Sequence, residues 1–266
     1  MSGHSGQQLL IPAPSTPAEW CASWGIPLLE EIPHPGLATA KDLAALDPSL
    51  RRWPGRNHPR AGQWLRARYS SWNSTCADPM YGAGCLWIGD PPRRVIGADI
   101  EIASPRSQGN ARTWAPPCGS LVDLVLFSPP FLQNHSAGAT EHQQEIREAK
   151  GLHTMQEFGV TVGNLGRLKA PDFWLGMADV YRQVLTYTKA AGRMVVILRN
   201  YIRRGQEVDE IGDHLALMRE ASWEIEGAHP RALRPTGYQQ WKVARDPSTP
   251  WIRTEWAIVA MPQVPW

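Results

Sequence analysis

An apolar run that ends in two consecutive prolines constrains this chain more than any other stretch. Val122-Asp123-Leu124-Val125-Leu126-Phe127 is followed at once by Ser128-Pro129-Pro130-Phe131. Four to eight apolar residues bounded by turn signals read as a buried strand. Proline has no N–H to give a ladder and holds φ fixed, so the strand must stop at Ser128. In an open α/β sheet, ligands sit at the carboxyl ends of the strands. The turn fixes the Ser128 hydroxyl, the carbonyl after it and the Phe131 ring. Two acceptors beside a flat hydrophobic plate suit a planar group that carries an amine. The plainer alternative is a Pro-Pro loop with a core phenylalanine.

Length allows one large domain or two small ones, at 266 residues. A formal net charge of +2 is no polyanion-binding signature, so any nucleic-acid contact must come from local patches. The four cysteines, Cys21, Cys76, Cys85 and Cys118, lie far apart and include no Cys-x-x-Cys pair. That argues against a zinc site or a disulfide framework and fits a reducing compartment. No metal is expected, and the absence of an apolar membrane span or signal-peptide core leads us to expect a soluble, cytoplasmic protein.

The second signal lies upstream of the first. Ser74-Thr75-Cys76-Ala77 reads as a strand running into Asp78-Pro79-Met80-Tyr81-Gly82-Ala83-Gly84-Cys85. Gly82 and Gly84 permit a tight turn and close ligand approach, and the turn is expected to open a helix. It is not the dinucleotide fingerprint, because Trp87 occupies the place of the third glycine. Arg94 to Ala98 reads as the next strand, ending in Asp99-Ile100-Glu101. An acid at the end of the second strand is suited to ribose hydroxyls. The alternative for Asp99 and Glu101 is an acidic helix N-terminus. Only a short crossover separates Asp99 from Asn110, so that connection must be trimmed.

Arginines cluster ahead of this turn. Arg51, Arg52, Arg56, Arg60, Arg66 and Arg68 occur with no acid among them, and Trp53 and Trp64 are interleaved. That mixture suits a phosphate backbone or splayed bases, or else a solvated basic face. Residues 132–168 form a long polar segment, read as a substrate-contacting or mobile insertion, with a tight turn at Gly163 to Gly166. Pro171 to Ala190 has helical spacing and Gly192 follows. Met194 to Leu198 is a buried strand, and Arg199, Arg203 and Arg204 follow at its carboxyl edge. Val208 to Glu220 reads as a helix, and two final strands are expected at 223–225 and 256–260. Between them Arg231, Arg234, Lys242 and Arg245 accompany Tyr238 and Trp241.

Strand, Asp-Pro-x-x-Gly-x-Gly, strand, acid, then strand and Ser-Pro-Pro-Phe resembles the S-adenosylmethionine-dependent methyltransferases that act on exocyclic amines of DNA bases. The resemblance covers roughly residues 57–261. It implies an α/β chain with a three-layer Rossmann-like methyltransferase fold, a mostly parallel sheet and an antiparallel last strand. Residues 1–50 would be an N-terminal extension. Residues 51–266 would form the methyltransferase domain, with the insertion near 132–168. It also implies catalytic roles for Ser128, Pro129, Pro130 and Phe131. Contacts to S-adenosylmethionine would come from His58, Asp78, Pro79, Gly82, Gly84, Asp99, Glu101 and Asn110. DNA contacts are expected from Arg51, Arg52, Arg56, Arg60, Arg203 and Arg204. Serine at the first catalytic position leans towards N4 of cytosine, with N6 of adenine as the other target. RNA or protein-glutamine methylation, and an inactive fold that only binds DNA, are the competing readings.

Overall fold

The computed structural model describes residues 14, 16–33, 58–82, 84–88, 94–100, 107–130, 161–203, 206–234 and 237–263, the side chains at 107, 118, 203 and 237–239 excepted. In chain order these form α1 (Pro17–Trp24), α2 (Pro59–Tyr69), β1 (Thr75–Asp78), β2 (Arg94–Asp99), β3 (Ser107–Gln108) and β4 (Val122–Phe127). Then come α3 (Ala170–Tyr187), β5 (Thr188–Leu198), β6 (Tyr201–Arg203), β7 (Gln206–Val208), α4 (Glu210–Glu220), β8 (Trp223–Ala232), α5 (Gly237–Arg245) and β9 (Thr254–Pro262).

Seven strands make one sheet in the order β3-β2-β1-β4-β5-β9-β8. The pairs from β3 to β5 are parallel. β9 runs antiparallel to both β5 and β8. The fold is therefore a mostly parallel, Rossmann-like sheet with the last strand of the chain reversed. β6 and β7 form a separate hairpin.

Strands of this sheet read as continuous apolar runs because both faces are covered. On one face Ala77, Val125, Phe127, Met194, Val196 and Ile258 pack against Phe173, Met177, Val180 and Tyr181 of α3, Leu215 of α4 and Trp24 of α1. On the other, Cys76, Leu124, Leu126, Val195, Ile197 and Val259 pack against Ala61 and Leu65 of α2 and against Ile32. Helix, sheet and helix make three layers.

Residues 27–32 lie along the outer edge of β8. The Leu29 and Ile32 N–H groups donate to the carbonyls of Ala228 and Pro230, and the Ala228 N–H donates to Pro27. This satisfies the otherwise open edge of the sheet. α1 is fixed ahead of it by a capping box between Thr16 and Glu19 and by Gly25 in the left-handed conformation.

Three expectations need correction. The glycine turn opens only a single 3-10 turn at Cys85–Trp87, not an α-helix, because few residues remain before β2. α3 ends at Tyr187 rather than Ala190, and β5 starts at Thr188 without a loop. β8 and β9 are longer than expected, at ten and nine residues. Ala38 to Leu46, whose sequence suits a short helix ending before Pro48, lies outside the described residues.

Candidate active site

β1 leads outward to β2 and β3, while β4 returns to the opposite side of β1, so the strand order reverses between β1 and β4. The carboxyl edge at such a reversal is where a doubly wound sheet opens a crevice. Cys76 and Ala77 pair with Leu124 and Val125, so Asp78 and Ser128 end neighbouring strands on the same edge.

Asp78 is 2% exposed. Its Oδ1 accepts the Met80 N–H at 2.9 Å and its Oδ2 accepts the Trp87 indole N–H at 2.7 Å. Burial pushes its carboxyl up to about 7 against the pull of these two bonds, and the charge of Asp99 adds to the rise. The Trp87 ring lies under the Arg66 guanidinium, 5.4 Å from ring centre to Cζ. Arg66, 1% exposed, donates from Nη2 to the Ile88 carbonyl at 3.1 Å. Asp78, Trp87, Arg66 and Ile88 thus form a clamp around the turn.

Gly82 and Gly84 both hold positive φ, at 49° and 72°. The Gly82 N–H donates to Asp99 Oδ2 at 2.8 Å, joining the glycine turn to the acid at the end of β2. The Tyr81 ring is slotted between Gly84 and Gly97. A Cβ at either would come within 2.5 or 2.3 Å of ring atoms, which is why neither position carries a side chain. The Tyr81 ring thus fills the space between the glycine turn and β2. Pro79 is buried beside Asp78.

His58 caps α2, its Nδ1 accepting the Arg60 N–H at 3.2 Å. The first turn of α2 lies against the 3-10 turn: a Cβ on Gly62 would come within 2.5 Å of the Leu86 carbonyl oxygen. Asn110 follows β3, and its Oδ1 accepts the N–H and Nε–H of Arg112 at 3.1 and 3.3 Å. The cavity of about 430 Å³ next to Asn110 is walled by Arg112, Asp179, Arg182 and Gln183, and runs along the outward side of α3 rather than into the crevice.

Across the crevice, the Ser128 hydroxyl donates to the Ile197 carbonyl of β5 at 3.2 Å. Its lone pairs remain directed elsewhere as acceptors. Pro129 is buried. Pro130 touches the turn at 164–167, where a Cβ on Gly166 would lie 3.2 Å from the proline Cβ. Asn164 caps that turn by accepting the Gly166 N–H at 3.0 Å. The polar segment 132–168 therefore returns to the Pro-Pro turn. Phe131, Glu101, Arg51, Arg52, Arg56 and Arg204 lie outside the described residues. Arg60 is exposed at the start of α2, and Arg203 ends β6.

Sequence reasoning missed several residues at this edge. Trp87 was read only as a missing glycine, yet it orients Asp78. Asn200, two residues past β5, accepts the Ile211 N–H at 3.3 Å and donates to Glu207 at 2.9 Å, tying β5 to α4 and the hairpin. Arg231 and Glu255, opposite one another on β8 and β9, form a buried ion pair. Arg199 lies near them; burial lowers its pKa, and Glu255 and Glu210 oppose that. Only the strand register could have revealed the pair. Among the described residues no group of three or more His, Cys, Asp or Glu could hold a metal ion, and no helix is long and apolar enough to cross a membrane.

No family model matches this chain, and no curated protein matches it. Solved structures similar to it include three methyltransferase-class folds. TrmN from Thermus thermophilus is 14% identical, with 77% of this chain and 48% of that one covered and a TM-score of 0.40. A TehB-like SAM-dependent methyltransferase from Corynebacterium glutamicum is 12% identical, over 84% of this chain and 97% of that one, with a TM-score of 0.41. A SAM-dependent methyltransferase from Methanosarcina mazei is 10% identical, over 76% and 98%, with a TM-score of 0.42. The chain spans about half the length of TrmN. At these scores the likenesses add nothing to what the strand order says by itself.

Proposed function

We propose that this chain is an S-adenosylmethionine-dependent methyltransferase acting on the exocyclic amine of a DNA base, with N4 of cytosine favoured over N6 of adenine. The observation that carries the reading is the pairing of two turns at one switch point: the Asp78–Gly82–Asp99 turn beyond β1 and β2, and Ser128-Pro129-Pro130 beyond β4.

The residues present fit that cofactor. Among the described residues, a Cβ built on Gly82 meets nothing nearer than the Met80 carbonyl at 4.0 Å, which leaves room beside the turn where a ligand would approach. Asp78, Pro79, Gly82 and Gly84 would hold its amino-acid portion. Asp99 and Glu101 would take the ribose, Asn110 the adenine, and His58 would close the side facing α2. When bound, the cofactor supplies a methyl group activated on a sulfonium.

An exocyclic amine is a poor nucleophile because its lone pair is delocalised into the ring. The Ser128 oxygen already donates its own hydrogen to Ile197, so it meets an amine hydrogen as an acceptor. The Pro129 carbonyl would accept the second. Together they draw the nitrogen out of conjugation, and Phe131 would stack on the base. The nitrogen would gain the methyl as the carbon–sulfur bond breaks to leave a neutral thioether, and its surplus proton would pass to water. The base must leave the duplex first, at a cost of a few kcal/mol. Arg51, Arg52, Arg56, Arg60, Arg203 and Arg204 would offset part of that cost on the phosphates.

Incubation of the purified chain with radiolabelled S-adenosylmethionine and duplex DNA tests this. Label is expected in DNA as N4-methylcytosine. Label in RNA or protein alone, or none, overturns it. Ser128→Ala should abolish turnover while cofactor affinity by calorimetry stays unchanged.

A further inference from the structure

We infer that the excursion between β8 and β9, in its described residues 233–234 and 237–253, is a contact surface for the backbone of duplex DNA. The inference rests on the DNA reading above and deepens it by naming which part of the chain holds the duplex.

Position is the first argument. Leu198, the end of β5, is level with Trp256, which pairs with Pro230; the ladder between β8 and β9 runs two residues further, to Ala232 and Thr254. The excursion thus leaves the sheet from the edge on which Ser128 stands, bonded to Ile197. With strands about 4.8 Å apart, β9 is roughly 10 Å and β8 roughly 15 Å from β4, so one duplex can span both.

Charge is the second. Arg234, Lys242, Arg245 and Arg253 face a single acid, Asp246, so 4 − 1 gives this excursion +3, against +2 for the whole chain. All four cations are exposed. Asp246 is turned into its own loop, its Oδ1 accepting from the Ser248 N–H and hydroxyl at 2.9 and 2.6 Å. Two arginines lie over tryptophans, Arg245 over Trp241 at 4.7 Å and Arg253 over Trp251 at 5.8 Å. Trp241 is 52% exposed. Such pairs present a flat ring and a cation together, which is how phosphates and bases are gripped.

The third argument is that α5 presents its side chains outward. It is nine residues long, and of its described side chains only Val243 is partly buried. One tryptophan is too small an apolar face for membrane insertion, which needs a broad one.

The test uses the full chain and a labelled duplex, with anisotropy read across a salt series, beside Lys242→Ala/Arg245→Ala/Arg253→Ala and, separately, Trp241→Ala. Three lost phosphate contacts should lower the salt slope by about 2.7 and weaken binding on the order of tenfold or more. Cofactor binding by calorimetry should not change. A triple variant that binds as tightly as the wild type overturns the inference and leaves the methyltransferase reading standing. A wild-type chain that binds anionic vesicles or single-stranded RNA but no duplex overturns both the inference and the DNA reading it rests on. Duplex bound through these residues, but never methylated, supports the surface and sinks the activity.

Discussion

Two stretches of this chain mix arginine with tryptophan, and the fold treats them in opposite ways. In α2 and the glycine turn the basic and aromatic groups are consumed by the chain itself. Arg66 is buried over Trp87, Arg68 pairs with Glu30 at 2.8 Å, and Trp64 packs edge-on against His229. In the β8–β9 excursion Trp241, Arg245 and Arg253 are exposed, and the two arginines lie over Trp241 and the partly buried Trp251. Composition cannot separate these two outcomes. What separates them is burial: α2 covers a sheet face, so its polar groups need internal partners, whereas the described side chains of α5 are almost all exposed.

The largest effect that would break this contrast concerns Asp78, the buried acid the inward stretch surrounds. Its carboxyl rises from 3.8 to about 7 on folding. Between those values the folded chain holds a proton that the unfolded chain has released, so stability falls as pH rises through this window and is flat above it. The full fall is about 4 kcal/mol. His214 works the other way. Burial lowers its pKa from 6.5 to about 3, so its contribution is complete above pH 6.5 and is lost as pH falls. Asp78→Asn should therefore remove the decline between pH 4.5 and 7.5, leaving a steeper net rise with pH. Urea midpoints measured across that range check it, and an unchanged profile would mean the clamp does not bury a charge.

Next in size is Arg66→Ala. It removes a buried guanidinium bonded to Ile88 and leaves Trp87 without its cover, so a loss of about 3 kcal/mol by chemical denaturation is expected. Trp87→Phe keeps the ring but deletes the donor to Asp78 Oδ2, which should cost about 1–3 kcal/mol and weaken cofactor binding more at pH 8 than at pH 6, where the acid is protonated. Arg245→Ala, by contrast, should change stability by no more than about 0.5 kcal/mol. If it destabilised the chain as Arg66→Ala does, the two stretches would be alike after all.

How far the fold was legible follows the same division. Strands buried on both faces announced themselves as apolar runs, and the glycine turn and the Pro-Pro stop marked the ends of β1 and β4, between which the strand order reverses. The N-terminal segment suits either a Pro-rich tail or an edge-covering strip, and only β8 decides for the second at residues 27–32. Thr16-x-x-Glu19 ahead of it is a capping box readable in the sequence. The start of β5 was hidden because Lys189, Ala190 and Ala191 suit a helix. Gly192, read as a helix stop, serves instead as a close approach: a Cβ there would lie 3.0 Å from the Val122 carbonyl. That is where the register between β4 and β5 shifts. The clamp around Asp78 was illegible because Arg66 and Trp87 meet only after α2 has packed against the 3-10 turn that follows β1.

The smallest expected effect lies where the contrast is weakest. Arg60 belongs to the inward stretch by position but is exposed, and its N–H is held by His58 at the start of α2. α2 sits over the glycine-turn side of the sheet and α5 rises from the β8–β9 side, so a duplex centred on the crevice would meet both margins. Arg60→Ala should leave folding intact and lower the salt slope of duplex binding by about one, a single phosphate contact. Anisotropy on the single variant, and on the variant combined with Arg245→Ala, separates the two margins. If the losses add, two separate margins hold one duplex, since distant contacts without shared partners act independently. If Arg60→Ala alone does nothing, α2 is scaffold throughout, and the binding face narrows to the excursion between β8 and β9.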